Sequence, residues 1–223
     1  MKRIALYGGT FDPVHIGHVA VAQALSKLFA LDEVLFIPAA RAPHKRRSPV
    51  TPALHRYAML ALATQNEPHL RVSTVELDAP EKPYTFETLA RMRETLGSEA
   101  QLFFVMGADS WMEITTWREW ERVLALSNHI VVVRPGYELS AEHVQPAIRE
   151  RINDLRDANK EFPTLGIDGN DDAKIYVTDA VKMDVSATMI RRAVREGRDA
   201  DWLGLVAPPV ADYIRKYGLY RGV

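Results

Sequence analysis

The chain has 223 residues and sets 28 Lys and Arg against 29 Asp and Glu, so at a formal net charge of −1 it has no overall attraction for nucleic acid or an anionic membrane. The length is enough for a full α/β core without covalent staples, and 47% hydrophobic residues is ordinary for a globular enzyme. Cysteine is absent, which excludes disulfides, a thiol nucleophile and a cysteine-bound metal. Met1-Lys2-Arg3 runs straight into an apolar strand, with no stretch of signal-peptide or membrane-spanning character, and the expected compartment is the cytoplasm.

Arg3 to Tyr7 reads as a short buried strand, because Ile4, Ala5 and Leu6 form the continuous apolar run of a strand covered on both faces. Gly8 and Gly9 are expected to end it, lacking a Cβ, and Pro13 delays the next element. From about Gly17, the apolar positions Val21, Leu25 and Leu28 recur at helical spacing. The run Gly8-Gly9-Thr10-Phe11-Asp12-Pro13-Val14-His15-Ile16-Gly17-His18 therefore places two histidines three residues apart at a strand-to-helix turn. A glycine stands between them where a phosphate would approach the backbone. The free N–H groups and the macrodipole of a helix start favour an anion, and the two imidazoles add donors. The run is neither Gly-x-Gly-x-x-Gly nor a Walker loop. A metal held by Asp12, His15 and His18 is a weaker reading, since proline and glycine inside the turn work against rigid ligand geometry. Two histidines that merely cap the helix are the plainer alternative.

A second strand, Val34 to Ile37, leads through Pro38 into a loop where Arg41, His44, Lys45, Arg46 and Arg47 crowd around Pro43. Such a run is either a solvated loop or, at the carboxyl end of a strand, a grip for phosphate. Thr51-Pro52 reads as an N-cap followed by proline at the first helical position, opening a helix to about Asn66. A strand follows near Leu70 to Val75, then a helix introduced by Tyr84-Thr85 that runs through Leu89 and Met92 and stops at Gly97. The apolar strand Leu102 to Met106 ends in Gly107-Ala108-Asp109-Ser110-Trp111. A helix around Glu119 to Leu126 leads to the strand Ile130 to Val133 and then to Arg134-Pro135-Gly136. Repeated βα units predict an α/β fold with a doubly wound parallel sheet and helices on both faces. The segment at about 137–172 reads as a peripheral excursion with a charged, helix-compatible middle from Glu142 to Lys160. Beyond the strand Lys174 to Thr178, Ser186 is placed as the N-cap of a helix that runs to Glu196 and is closed by Gly197. The hydroxyls of Ser186 and Thr188, with Arg191 one turn on, make this helix start a second anion site. Two such sites suit the two ends of a triphosphate; the plain alternative is a well-capped amphipathic helix.

Gly8-Gly9-Thr10-Phe11-Asp12-Pro13 with His15-x-Gly17-His18, together with Ser186-x-Thr188-x-x-Arg191, resembles the nucleotidyltransferase superfamily that shares His-x-Gly-His with class I aminoacyl-tRNA synthetases. Pro38, Pro43-His44-Lys45, Tyr84-Thr85, Gly107-Ala108-Asp109-Ser110, Trp117 and Arg134-Pro135-Gly136 extend the resemblance, over nearly the whole chain, to the bacterial nicotinate-mononucleotide adenylyltransferases. The resemblance implies a single Rossmann-like domain over 1–223 that transfers the adenylyl group of ATP to nicotinate mononucleotide, with Mg2+ carried by the ATP and no covalent intermediate. It implies His15 and His18 as the catalytic pair, His18 at the reacting α-phosphoryl group. Gly8, Gly9, Thr10, Phe11 and Gly17 would surround the ATP, Gly107 and Asp109 its ribose, and Ser186, Thr188 and Arg191 its outer phosphates. Lys45 and Arg134 would take the mononucleotide phosphate. Tyr84 and Thr85 would meet the pyridine carboxylate and Trp117 the ring, although a Trp-x-x-Trp run with Trp120 is more often core. Ala40 departs from relatives that carry a polar residue there. Three further readings stay open at this point. Phosphopantetheine adenylyltransferases are shorter and do not need Tyr84-Thr85 or Trp117. A class I synthetase has no room here for its tRNA-recognition domain, and a silent nucleotide sensor would not need every phosphate ligand.

Overall fold

A computed structural model of the chain describes residues 1–40, 50–79, 81, 83–133, 139–156, 173–181 and 183–221. Strands β1 (Lys2–Gly9), β2 (Glu33–Pro38), β3 (Leu70–Val72), β4 (Ala100–Gly107), β5 (Asn128–Val132), β6 (Ile152–Asp154) and β7 (Ile175–Thr178) form one sheet in the order β3-β2-β1-β4-β5-β7-β6. Every neighbouring pair is parallel. The helices are α1 (Ile16–Leu28), α2 (Ala53–Thr64), α3 (Thr85–Leu96), α4 (Ala108–Met112), α5 (Trp120–Leu126), α6 (Pro146–Arg149), α7 (Ala187–Arg195) and α8 (Pro208–Lys216).

The alternation of side chains along the strands sorts the core into two layers. Ala5, Val34, Phe36, Phe103, Val105 and Ile130 face α1, α2, α7 and α8, where Leu25, Met59, Ile190 and Ile214 meet them. Ile4, Leu6, Leu102, Phe104, Met106 and Val131 face the other way, against Leu89 of α3, Trp111 of α4 and Val123 of α5. Each large apolar side chain so buried contributes about 1.5–3 kcal/mol relative to exposure, which is why these strands carry no polar alternation. The sheet order reverses at β1, which has β2 on one side and β4 on the other. Loops leaving the carboxyl ends of β1 and β4 therefore diverge and open a crevice there, the usual ligand position in open α/β sheets.

Four elements differ from the sequence reading. Gly8 and Gly9 extend β1 instead of ending it, in register with Ile37 and Pro38. Pro52 is itself the N-cap of α2, with extended angles (φ −48°, ψ 142°), because Thr51 spends its N–H on Asp12 and its carbonyl on Arg56. The strand expected to reach Val75 stops at Val72, where the ladder with β2 closes on a Ser73 N–H to Phe36 carbonyl bond. Within 142–156, one helical turn (α6) and the strand β6 stand where a longer charged helix was expected, and the rest of that expected helix, 157–160, lies outside the described residues. The edge of β7 offers main-chain groups that would otherwise lack partners, and Ile152 packs on the second core layer.

His129, in β5, is 0% exposed, and burial pushes its pKa down to about 3, assisted by the charge of Arg151. The native ring stays neutral while the unfolded chain takes up a proton below about pH 6.5, so this group's contribution is full above that pH and falls as pH drops towards 3. We expect His129→Leu to flatten the pH dependence of stability, removing about 2 kcal/mol of the loss between pH 7 and pH 5. Urea unfolding of both proteins at the two pH values reads the difference directly, and equal losses would contradict a neutral buried ring.

Candidate active site

The α1 start organises the histidines. His15 is the N-cap residue, with extended angles, and His18 sits one turn in, so that the two rings stack with centroids 3.7 Å apart and 26° between planes. The His15 N–H donates to His18 Nδ1 at 3.2 Å, closing half of a capping box with an imidazole in place of the usual carboxylate. A ring nitrogen that accepts from the main chain carries no proton, so His18 is the Nε2–H tautomer. Burial, and then the neighbouring His15, hold its pKa well below the ordinary histidine value. The cap uses Nδ1, so Nε2–H is the donor that His18 can offer to the cleft it lines.

The glycines of this run serve close packing. A Cβ on Gly17 would lie 2.7 Å from Val185 Cγ1 and 3.1 Å from the His15 ring, so the space beside Gly17 belongs to protein and not to an approaching phosphate. A Cβ on Gly9 would meet the Phe11 ring at 2.8 Å, and one on Gly8 would meet Phe104 at 3.3 Å. Phe11 itself has φ 47°, a left-handed conformation that costs a non-glycine residue of order 1 kcal/mol or more. Its ring is 3% exposed and wedged edge-on against Tyr7, Phe36 and His18, and that packing holds the backbone in place.

Gly17 against Val185 brings the α7 start beside the α1 start. Ser186 Oγ accepts from the Met189 N–H at 3.2 Å, which fixes the α7 cap as the sequence predicts. Arg191 donates from Nη1 to the Asp12 carbonyl at 2.6 Å and from Nη2 to Thr188 Oγ1 at 3.2 Å, joining α7 to the loop after β1. The carboxylate of Asp12 accepts from the Tyr220 hydroxyl at 2.7 Å and from the Thr51 N–H at 3.3 Å. Asp12 is thereby occupied away from the histidines, and among the described residues no three metal-ligating side chains come together.

The two helix starts line a cleft of about 640 Å³ that extends to the carboxyl ends of β4 and β5. Thr10, Phe11, His15 and His18 form one wall, Ser186 and Thr188 a second, and Gly107 and Asp109 a third. An added Cβ on Gly107 would meet nothing within 4 Å, so that wall is open to a ligand. Tyr84, Thr85 and Trp117 form a separate group on the other face of the sheet. Tyr84 is the N-cap of α3 and 48% exposed; Trp117 is half-buried, its ring edge-on to Phe104 at 6.4 Å and packed on the second core layer. The Arg118 guanidinium lies 4.7 Å from the Tyr84 ring centroid and ties the two segments together. Lys45 and Arg134 lie outside the described residues.

Sequence reasoning missed two residues at the base of the site, Arg56 and Tyr220. Arg56 is 1% exposed and donates to three main-chain carbonyls: Thr51 at 2.9 Å, Thr10 at 2.8 Å and Ala39 at 2.6 Å. Burial lowers its pKa while the nearby charges of Asp12 and Glu76 hold it up. The available signal was an arginine on the otherwise apolar face of α2, beside Met59 and Leu60.

We expect Gly17→Ala to move the His15 ring or Val185 by several tenths of an ångström and to lower kcat at least about tenfold, since sub-ångström misplacement of aligned groups is costly. Thermal unfolding run alongside should show a folded protein. Unchanged kcat would mean that the contact does not set the site.

The cytidylyltransferase-like family model matches residues 6–193. A protein of Moorella thermoacetica called a probable nicotinate-nucleotide adenylyltransferase is 36% identical over 219 residues, spanning 98% of this chain and 92% of its own length. One of the same description from Thermus thermophilus is 38% identical over 219 residues, 98% of this chain and 100% of that one. Among solved structures, Plasmodium falciparum nicotinic acid mononucleotide adenylyltransferase complexed with NaAD shares the fold, with TM-score 0.72 and 22% identity over 99% of this chain and 98% of that one. The fold, the paired helix starts and this full-length kinship agree: the chain belongs to the cytidylyltransferase-like family and, within it, to the nicotinate-nucleotide adenylyltransferases.

Proposed function

We propose that the chain joins the adenylyl group of ATP to nicotinate mononucleotide, giving deamido-NAD and pyrophosphate in NAD biosynthesis. Kinship along the whole chain supports the choice of substrates. The observation that carries the chemistry is the convergence of two capped helix starts, bearing His15 and His18 on one and Ser186 and Thr188 on the other, at the sheet's switch point, with Arg191 bonded to Thr188 one turn on. Such an arrangement holds a polyphosphate at both ends.

In this reading the mononucleotide phosphate oxygen attacks the α-phosphorus of magnesium-bound ATP, and the bond to the β-phosphate oxygen breaks as pyrophosphate leaves. No bond to the protein forms, so the protein aligns and stabilises charge. His18 Nε2–H donates to the α-phosphoryl oxygen, with His15 stacked beside it. Ser186, Thr188 and Arg191 take the departing pyrophosphate, and Gly107 and Asp109 bound the ribose. Magnesium enters with the triphosphate as part of the substrate. Lys45 and Arg134 are assigned to the acceptor phosphate, and Trp117 and the α3 start at Tyr84-Thr85 to the pyridine ring and its carboxylate. Among the described residues no helix is long and apolar enough to cross a membrane, and we assign the reaction to the cytoplasm.

Pyrophosphate release from ATP, with nicotinate mononucleotide or nicotinamide mononucleotide as acceptor, tests this reading. A helix start favours the carboxylate over a neutral carboxamide, whose NH₂ would face main-chain donors. We expect kcat/KM for the acid to exceed that for the amide by at least roughly 10²-fold; near-equal values would overturn the acid assignment, and no turnover with either would overturn the function. His18→Ala should cut kcat by roughly 10²-fold or more with a smaller change in the KM for ATP, the pattern of a donor used in the transition state. A kcat within twofold of the original would remove His18 from the chemistry.

A further inference from the structure

Tyr220 follows α8, far from the phosphate-facing helix starts in sequence, with a backbone φ of 66° in the left-handed region. Its hydroxyl donates to Asp12 Oδ1 at 2.7 Å, and its ring packs on the first core layer beside Met59. Asp12 is 3% exposed and accepts from three directions: Tyr220 on one carboxylate oxygen, the Thr51 N–H on the other, and Arg191 on its main-chain carbonyl. The carbonyl that holds Arg191 beside Thr188 thus belongs to a residue whose side chain is clamped by the C-terminal segment.

We propose that Tyr220 is a positioning residue for ATP: its hydroxyl fixes the Asp12 carboxylate, and through the Asp12 carbonyl it holds the Arg191 guanidinium beside Thr188, which lines the cleft. The proposal rests on the reading of Arg191 as a ligand of the ATP phosphates. Tyr220 itself lines no part of the cleft. Burial and the adjacent Asp12 carboxylate both raise the pKa of its phenol, so the hydroxyl remains a donor throughout the working pH range. Without it, Asp12 Oδ1 is left with an unmet acceptor in a buried place, and the loop relaxes towards whatever donor it can reach.

The test is a double-mutant cycle on the full chain, with Tyr220→Phe, Arg191→Ala and the pair, reading kcat, the KM for ATP, the KM for nicotinate mononucleotide and the thermal midpoint. The phenyl ring keeps the packing, so Tyr220→Phe should raise the KM for ATP about fivefold, the size of one net hydrogen bond. The KM for the acceptor should stay within twofold. In the Arg191→Ala background the same change should leave the KM for ATP unaltered, because the two residues act in series. A purely structural role predicts effects that multiply, or that fall equally on both substrates, and either result overturns the proposal. If Arg191→Ala leaves the KM for ATP untouched, the phosphate assignment of Arg191 fails together with the proposal; if it raises that KM and Tyr220→Phe does not, only the proposal fails. Should Tyr220→Phe not fold, Asp12→Ala, which removes the acceptor of the Tyr220 hydroxyl, takes its place in the cycle, with loss of its effect in the Arg191→Ala background as the supporting result and a persisting effect as the overturning one.

Discussion

The separation of α1 and α7 is set by a glycine. With no Cβ on Gly17, Val185 packs directly against the first turn of α1, and the starts of both helices face one cleft. Each start carries about half a positive charge from its aligned peptide dipoles, so bringing two together without an anion is electrostatically unfavourable. The opposing term is the core beneath them: Ala22, Leu25, Ile190 and Val194 are buried in the same apolar layer, and their burial holds the helices where repulsion would separate them. The result is a cleft whose donors are aligned in advance, and for the phosphates proposed to bind there that is where preorganised electrostatics is most effective.

Arg56 does for the loops what Gly17 does for the helices. Its three carbonyl partners lie in three different segments: Thr10 in the loop after β1, Ala39 just past β2, and Thr51 just before α2. Ala39 and Thr51 stand before and after the basic run 41–49 in the sequence, so one buried cation ties these two positions to the loop beside the histidines. Glu76 assists by accepting from the Ala40 N–H at 3.2 Å and from Thr88 Oγ1 at 3.1 Å. A buried guanidinium is costly to desolvate. Five donors in a rigid fork are nevertheless the arrangement that can satisfy three carbonyls on separate loops, which a lysine cannot reproduce.

The fold and the pairing of the two helix starts were legible in the sequence because both rest on local patterns. The apolar runs at Ile4–Leu6 and Leu102–Met106, the Ser186 cap and the glycine at 197 are short-range signals, and each element formed within a few residues of its expected place. Patterns that depend on partners distant in sequence were not legible. Thr51 reads as a cap until Asp12 and Arg56 claim its main chain, and the charged stretch at 142–160 reads as helix until the open edge of β7 recruits Ile152–Asp154. Gly8 and Gly9 look like a strand ending, yet aromatic rings from Phe104 and Phe11 pack against them within a continuing strand. Tyr220 gave no local signal at all, since its meaning lies in a bond to Asp12, 208 residues away.

The protonation state of His18 follows from the same assembly and bears on how the site discriminates between ground and transition states. The ring is held neutral by its surroundings, because burial and the stacked His15 both oppose a charge. An anion nearby acts in the opposite direction and favours the protonated form. As the bond to the leaving group breaks, its electron pair passes to the pyrophosphate oxygen beside the α-phosphoryl group, so in the role proposed for His18 the pull on its proton is greatest in the transition state. A histidine charged from the outset would bind the ground-state triphosphate as tightly and gain less at that moment. In the role proposed for His18, a neutral Nε2–H, fixed in its tautomer by the His15 N–H, reserves part of its interaction for the transition state.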